Sequence, residues 1–202
     1  GSDSLHYTAA SLSFFIKNLY KPVALTYSQR SIDRGSTDAA LNLLCAAKFA
    51  VSDIAEVALI GHEDLNDEYC AAMPGTKVRK LHTSRRDAFQ AVNSSPYAVI
   101  SKNELEILKD FNSRNSEKAK LDNKFESKVG LIKFYPGQDS SILDYYEKQG
   151  YKGLIIETTG LGHVAGRESR NSWLLKLNQL IKKGIFICAT AQTVFGELNT
   201  MV

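Results

Sequence analysis

A chain of 202 residues, 44% hydrophobic and 23% charged, has room for one large or two small domains and the composition of an ordinary soluble fold. Its formal net charge of +3 is too small to argue for nucleic-acid binding by itself. Three widely spaced cysteines, Cys45, Cys70 and Cys188, speak against a disulfide framework and for a reducing compartment, and no apolar run reaches transmembrane length. No secretory leader is visible, and a chain opening on Gly1 rather than Met reads as a piece of something longer, expected in the cytoplasm.

Taken in order, Leu5, Ala9, Leu12, Ile16 and Leu19 recur at spacings of four and three, the apolar face of a helix with Ser4 or Asp3 as its N-cap. Pro22–Thr26 predicts a short buried strand, Tyr27–Ser31 a polar loop and Asp33–Ser36 a turn that caps the second helix. Ala39, Leu43, Ala46 and Ala50 then line one face of a second helix, and Ala55–Ile60 is a second apolar strand ending in Gly61-His62. Thr76–Leu81 alternates weakly and fits a strand or a loop. Beyond a polar stretch, Val129–Tyr135 is a strand, Pro136-Gly137 a turn, and Ser141–Gln149 a helix stopped by Gly150. Tyr151–Thr158 is a strand running into the loop Thr159–His163, Asn171–Lys183 a helix ending at Gly184, and Ile185–Ala189 the last strand. Strand, helix and strand in repeated succession predict an α/β protein with mainly parallel sheets.

Residues 112–128 break that rhythm with a polar run of mixed charge, expected to be an exposed linker. The chain therefore divides into residues 1–111, the linker, and 129–202.

Chemistry-bearing residues gather at the start. Ser2, Asp3 and Ser4 place two hydroxyls around a carboxylate at a helix N-terminus, where backbone N–H groups and the dipole favour negative charge. They also suit plain helix capping, and Lys80, within Lys77-Val78-Arg79-Lys80, also suits a solvated basic face. Arg79, Lys80, Arg85 and Arg86 together could meet RNA phosphate. Asp87 could simply pair with Arg85 or Arg86. His6, His62, His82 and His163 have no metal-ligand spacing, which favours capping or core hydrogen bonding, with His163 in its Gly-rich loop the best placed for a site.

Gly1-Ser2-Asp3-Ser4-Leu5-His6-Tyr7-Thr8-Ala9 resembles the Gly-Thr-Asp-Thr-Met-x-Tyr-Thr-Ala segment of the asparaginase/amidotransferase superfamily. Gln29-Arg30-Ser31, Asp33-Arg34-Gly35-Ser36, Ala50–Val57, Lys77–Phe89 and Gly160-Leu161-Gly162-His163-Val164 resemble one branch of it, the D subunits of archaeal-type glutamyl-tRNA(Gln) amidotransferase. The similarity spans essentially the whole chain. It implies an asparaginase-like fold of two three-layer α/β/α domains, here both truncated: residues 1–111 as the second half of an N-terminal domain and 129–202 as the start of a C-terminal one.

The resemblance also implies a chemistry. The family hydrolyses the side-chain amide of asparagine or glutamine through a hydroxyl nucleophile and releases ammonia, and such a hydroxyl needs a base or cation beside it. Carried over by position, Ser2 is the triad hydroxyl, and Lys80 accepts or relays its proton if burial lowers its pKa. Asp3 orients the lysine and pairs with the substrate's α-ammonium group, and the backbone carbonyl of Ser28 approaches the reacting amide.

The implied cofactors and partners follow the branch. This chain binds no metal or cofactor, and ATP and magnesium belong to a partner subunit that carries most of the tRNA recognition. The chain itself pairs with a second copy and with that subunit.

Two departures stand out. The family's Thr-Gly-Gly-Thr loop, with its other essential threonine, precedes the point where this chain opens, so these 202 residues alone are expected to be inactive. Ser2 stands where the family has threonine and lacks the γ-methyl that restricts χ1. A free-standing asparaginase or glutaminase and a non-catalytic interaction module of the same fold are the alternatives.

Overall fold

The structure, a computed structural model, describes residues 1–198. Two compact units are present, residues 1–124 and a second from Phe125 onward.

The first unit is built on a five-stranded sheet ordered β2(Val23–Thr26), β3(Val57–His62), β4(Tyr69–Pro74), β7(Ala98–Ser101), β8(Leu105–Ile107). β3 sits inside the sheet and all six of its residues are buried, as a continuous apolar run in a two-sided environment should be. Its side chains alternate between two cores. Ala58 and Ile60 join Cys70, Ala72 and Ile100 against helix α2(Ala39–Val51), through Leu41, Cys45 and Phe49. Leu59 joins Ala71 and Met73 on the other face, with Ala9 of helix α1(Ser2–Phe15) and the small hairpin β5(Val78–Lys80)–β6(Phe89–Ala91). A helix on each face of the sheet makes this unit three-layered.

The second unit carries a parallel sheet in the order β10(Val129–Lys133), β11(Gly153–Thr158), β12(Phe186–Ala191). Helices α3(Ile142–Lys148) and α4(Trp173–Lys182) cover one face of it through Leu143, Trp173, Leu177 and Leu180. Ser172 caps α4 by accepting from the Leu175 amide at 3.3 Å. Gly150 and Gly184, at φ +73° and +87°, take the left-handed conformation that ends helices and that a Cβ would strain.

The α/β class holds, with several differences in detail. Parallel pairing is found between β2 and β3 and throughout the second unit, whereas β4, β7 and β8 pair antiparallel. Those strands, with β6, are three to six residues long, too short for alternation to register, and the sequence reading passed over them. α1 begins one residue after Gly1 and has no side-chain cap, so neither Ser4 nor Asp3 is its N-cap. It ends at Phe15, leaving Ile16 and Leu19 outside it. α2 buries Leu41, Asn42, Cys45, Ala46 and Phe49, while Leu43 is exposed. The apolar set on that helix is nearly continuous, so spacing alone picked a face rotated from the real one.

The polar run 112–128 is exposed, yet its first half is tied to the first unit. Arg114 donates to the carbonyls of Ala50 and Ser52, and β9(Lys120–Leu121) pairs with β1(Ile16–Lys17).

Candidate active site

Ser2 and Asp3 lie in the first turn of α1. The helix runs against β3: a Cβ on Gly75 would meet Ser13 Oγ, the Ala9 carbonyl and Val57, so the C-terminal half of α1 lies over the start of β3. The N-terminus of α1 is thereby carried toward the carboxyl ends of β2 and β3, the end at which open α/β sheets hold their ligands. Lys80 arrives from the hairpin, paired across it with Phe89. Phe89 is buried, with its ring centroid 4.5 Å from that of Tyr27 and 6.2 Å from that of His6.

This packing brings together residues 77 and 78 positions apart. Lys80 Nζ donates to Ser2 Oγ at 3.0 Å and to Asp3 Oδ1 at 2.8 Å. The lysine side chain is 12% exposed and the aspartate 97%, so the cation comes up through the protein to meet a carboxylate standing in water. The hydrogen bond from Lys80, and then its charge, hold the Asp3 carboxyl below its ordinary range. His6, one turn along α1, is pushed down by burial first and then by the charges of Arg79 and Lys80. Its Nδ1 is buried with no hydrogen-bond partner.

Ser28 lies two residues past the end of β2, at the same end of the sheet. Its neighbour Tyr27 packs on Phe89, the cross-strand partner of Lys80. The Ser28 hydroxyl donates within its own surroundings, shared between Asp38 Oδ1, at 3.1 Å, and the Arg30 carbonyl. Asp38 is the residue that sequence reasoning missed. Fully buried at the N-terminus of α2, its carboxylate accepts from the amides of Gln29 and Arg30 as well as from Ser28. An acidic residue beside an apolar helix and ten residues after Ser28 of a polar loop suits a loop anchor as well as a cap.

The basic cluster is largely used within the protein. Arg85 forks onto the buried Asp87, Arg86 donates to Asp67 and to the Leu65 carbonyl, and Lys80 serves Ser2 and Asp3. His82 Nδ1 accepts from the amides of Ser84 and Arg85. Around His163 the bonds run between its main chain and Thr159. Among the described residues no group of three or more His, Cys, Asp and Glu is placed to share a metal ion, and no helix is long and apolar enough to cross a membrane. A cavity of about 470 Å³ at the opposite end of β3, walled by Ser13, Asn18, Glu56, Tyr97 and Asn112 among others, includes none of Ser2, Asp3 and Lys80.

Comparison with known proteins agrees with this layout. Residues 1–112 match the model of the asparaginase N-terminal domain, and residues 128–202 that of the glutaminase/asparaginase C-terminal domain. The chain is 47% identical over 204 residues to the D subunit of glutamyl-tRNA(Gln) amidotransferase from Pyrococcus abyssi, covering 100% of this chain and 45% of that protein. It is 42% identical over 200 residues to the D subunit from Methanosarcina acetivorans, covering 98% and 46%. It thus spans a little under half the length of these relatives. The thermostable L-asparaginase of Thermococcus kodakarensis superposes with a TM-score of 0.87 at 26% identity, over 98% of this chain and 57% of that one. L-asparaginase I of Vibrio cholerae gives 0.84 at 27%, over 99% and 58%. The chain belongs to the asparaginase family, with its N-terminal and C-terminal domain types in the family's order.

Proposed function

We propose that this chain belongs to the amide-hydrolysing part of a subunit that releases ammonia from asparagine or glutamine for the tRNA-dependent conversion of Glu-tRNA(Gln) to Gln-tRNA(Gln), a part these 202 residues do not complete by themselves. The observation that carries the proposal is the single lysine, Lys80, donating at once to a hydroxyl and to a carboxylate in the first turn of a helix. A hydroxyl is a weak nucleophile until a neighbour takes its proton. Ser2 Oγ attacks the side-chain carbonyl carbon of the substrate while its proton is relayed through Lys80, which hands one of its own to the departing amide nitrogen as it takes the hydroxyl's. Ammonia leaves, and water then cleaves the ester formed on Ser2, restoring the hydroxyl and releasing aspartate or glutamate. Asp3 fixes Lys80 and, with its water-facing edge, pairs with the substrate's α-ammonium group. The Ser28 carbonyl accepts from the reacting amide. None of these steps calls on a metal.

The likeness to amidotransferase D subunits, of which the chain covers 45% in Pyrococcus abyssi, supports the wider setting: a second copy of the chain, and a tRNA-binding subunit that spends ATP with magnesium, in the cytoplasm. The test is ammonia release by the intact protein that carries this chain, with and without its partner subunit and Glu-tRNA(Gln). Ser2→Ala and Lys80→Ala are expected to abolish release with the fold intact. Near-normal turnover in either variant removes the role proposed for that residue. Release that ignores the tRNA points instead to a free-standing asparaginase or glutaminase, and none at all to a non-catalytic module.

A further inference from the structure

Below the Ser28–Arg30 loop lies a set of linked polar side chains, fully buried at Asn42 and His62 and reaching solvent at Asp67, that the proposed reaction does not use. Asn42, fully buried on α2, donates through Nδ2 to the Tyr27 carbonyl at 3.1 Å and to Asp38 Oδ2 at 3.3 Å. Its Oδ1 lies 2.7 Å from His62 Nδ1 and accepts from the Cys70 thiol at 3.4 Å. His62, the last residue of β3 and fully buried, turns Nε2 to Asp67 Oδ1 at 3.0 Å, and Arg86 Nη1 donates to that same oxygen at 2.7 Å. The Arg86 carbonyl accepts from the Tyr27 hydroxyl at 2.7 Å.

The circuit closes on itself: Tyr27, Asn42, His62, Asp67, Arg86 and back to Tyr27. It ties together three parts of the unit. Tyr27 begins the Ser28 loop, Asn42 belongs to α2, and Arg86 lies in the turn of the hairpin that carries Lys80. Tyr27 fits within it only because residue 61 is glycine, since a Cβ there would lie 2.2 Å from Tyr27 Cε1. At the buried members, Asn42 and His62, a lost partner is costly and full satisfaction gives rigidity, whereas the joint at Asp67, whose side chain is 62% exposed, is screened by water. An apolar contact would have filled the same space at less risk.

We propose that this ring is a positioning device that holds the Ser28–Arg30 loop in its ligand-facing place relative to the hairpin of Lys80. Asp38 holds the loop directly, and His62 acts through Asn42. Neither touches substrate, so both are positioning residues. The inference rests on the reading of Ser28 as a substrate-facing residue, but the hold on the loop is measurable without turnover.

The experiment is amide hydrogen exchange in the intact protein, followed at Gln29 and Arg30 and, as a control on the core, at Leu59 and Ile60. Alongside it, kcat and KM for asparagine and glutamine are measured in wild type, His62→Gln and Asp38→Asn. A glutamine at 62 donates from one nitrogen only and breaks the ring at one joint. It is expected to speed exchange at Gln29 and Arg30 by about tenfold with the β3 amides unchanged, and to raise KM about fivefold with a smaller change in kcat. Asp38→Asn keeps the shape, removes the charge facing two amides, and is expected to do more of both.

A lowered melting temperature with exchange at the two loop amides no faster than at β3 overturns the proposal, because the ring is then plain core. Should Asp38→Asn fail to fold, His62→Gln answers the same question. Wild-type protein that releases no ammonia sinks the amide-hydrolysis reading, while faster loop exchange in His62→Gln still supports the ring's hold on the loop.

Discussion

β3 and β12 are both six-residue strands, Val-Ala-Leu-Ile-Gly-His and Phe-Ile-Cys-Ala-Thr-Ala, and each has a parallel neighbour. Yet every residue of β3 is buried and none of β12 is. β3 has strands on both sides, α1 over one face and α2 over the other. Among the described residues β12 is the edge of its sheet and both helices lie on one face, which leaves Val129, Leu131, Ile155 and Phe186 exposed on the other. A continuous apolar run promises two-sided burial, and only tertiary context delivers it. The site follows the burial: a covered sheet gives α1 and the hairpin a fixed platform, and Lys80 can bridge to Ser2 only if both stay put.

The largest expected effect tests that platform at its working end. Lys80→Met keeps much of the buried stem and removes the cation. It is expected to lower ammonia release by the intact protein about 10³-fold or more, with a melting temperature within a few degrees of wild type. A loss of fold instead would mean that the lysine is structural.

Next comes the contrast itself. Phe49→Ala opens a hole beneath β3 and is expected to cost about 3–5 kcal/mol in denaturant unfolding of the chain. Phe186→Ser, at a position 85% exposed on β12, is expected to stay within about 0.5 kcal/mol. A comparable cost at both would show that the open face of the second sheet is covered in solution.

A smaller effect is expected at Gly61, where β3 meets the ring. Gly61→Ala forces Tyr27 away from the strand and is expected to cost about 1–3 kcal/mol. It should also weaken substrate binding, because Tyr27 leads directly into Ser28. Unchanged KM with lowered stability would separate the ring from the site.

How much of this was legible differs by region. β3, α3, α4 and the strands of the second unit stand out as apolar runs closed by glycine or turn residues, and the family resemblance gathered Ser2, Asp3, Lys80 and Ser28 from distant positions. What escaped were features that only the third dimension creates. The buried face of α2 includes Asn42, a polar residue no hydrophobic periodicity selects. β4 and β7 pair antiparallel through residues that show no strand period. His62 reads as the end of a strand, and only the fold discloses that both its ring nitrogens have oxygen partners. The turn Asp33–Ser36 reads as the cap of α2, whereas the fold sets Asp38 directly before that helix and turns its carboxylate to the loop.

The smallest expected effect concerns acid. Asp3 has its pKa lowered from 3.8 by Lys80, so the folded state binds its proton less readily than the unfolded chain does. The contribution of the pair is therefore complete above pH 3.8 and disappears as pH falls through the still lower value in the folded protein. Because the carboxylate is 97% exposed, solvent screens the pair and its share of stability is slight. Melting curves of wild type and Asp3→Asn between about pH 3 and pH 7 are expected to differ by no more than about 2 °C at the upper end and to merge toward the lower. A difference that instead widened as the pH fell would mean that the Asp3 carboxyl is destabilised in the fold, and that Lys80 is held in place by something other than this carboxylate.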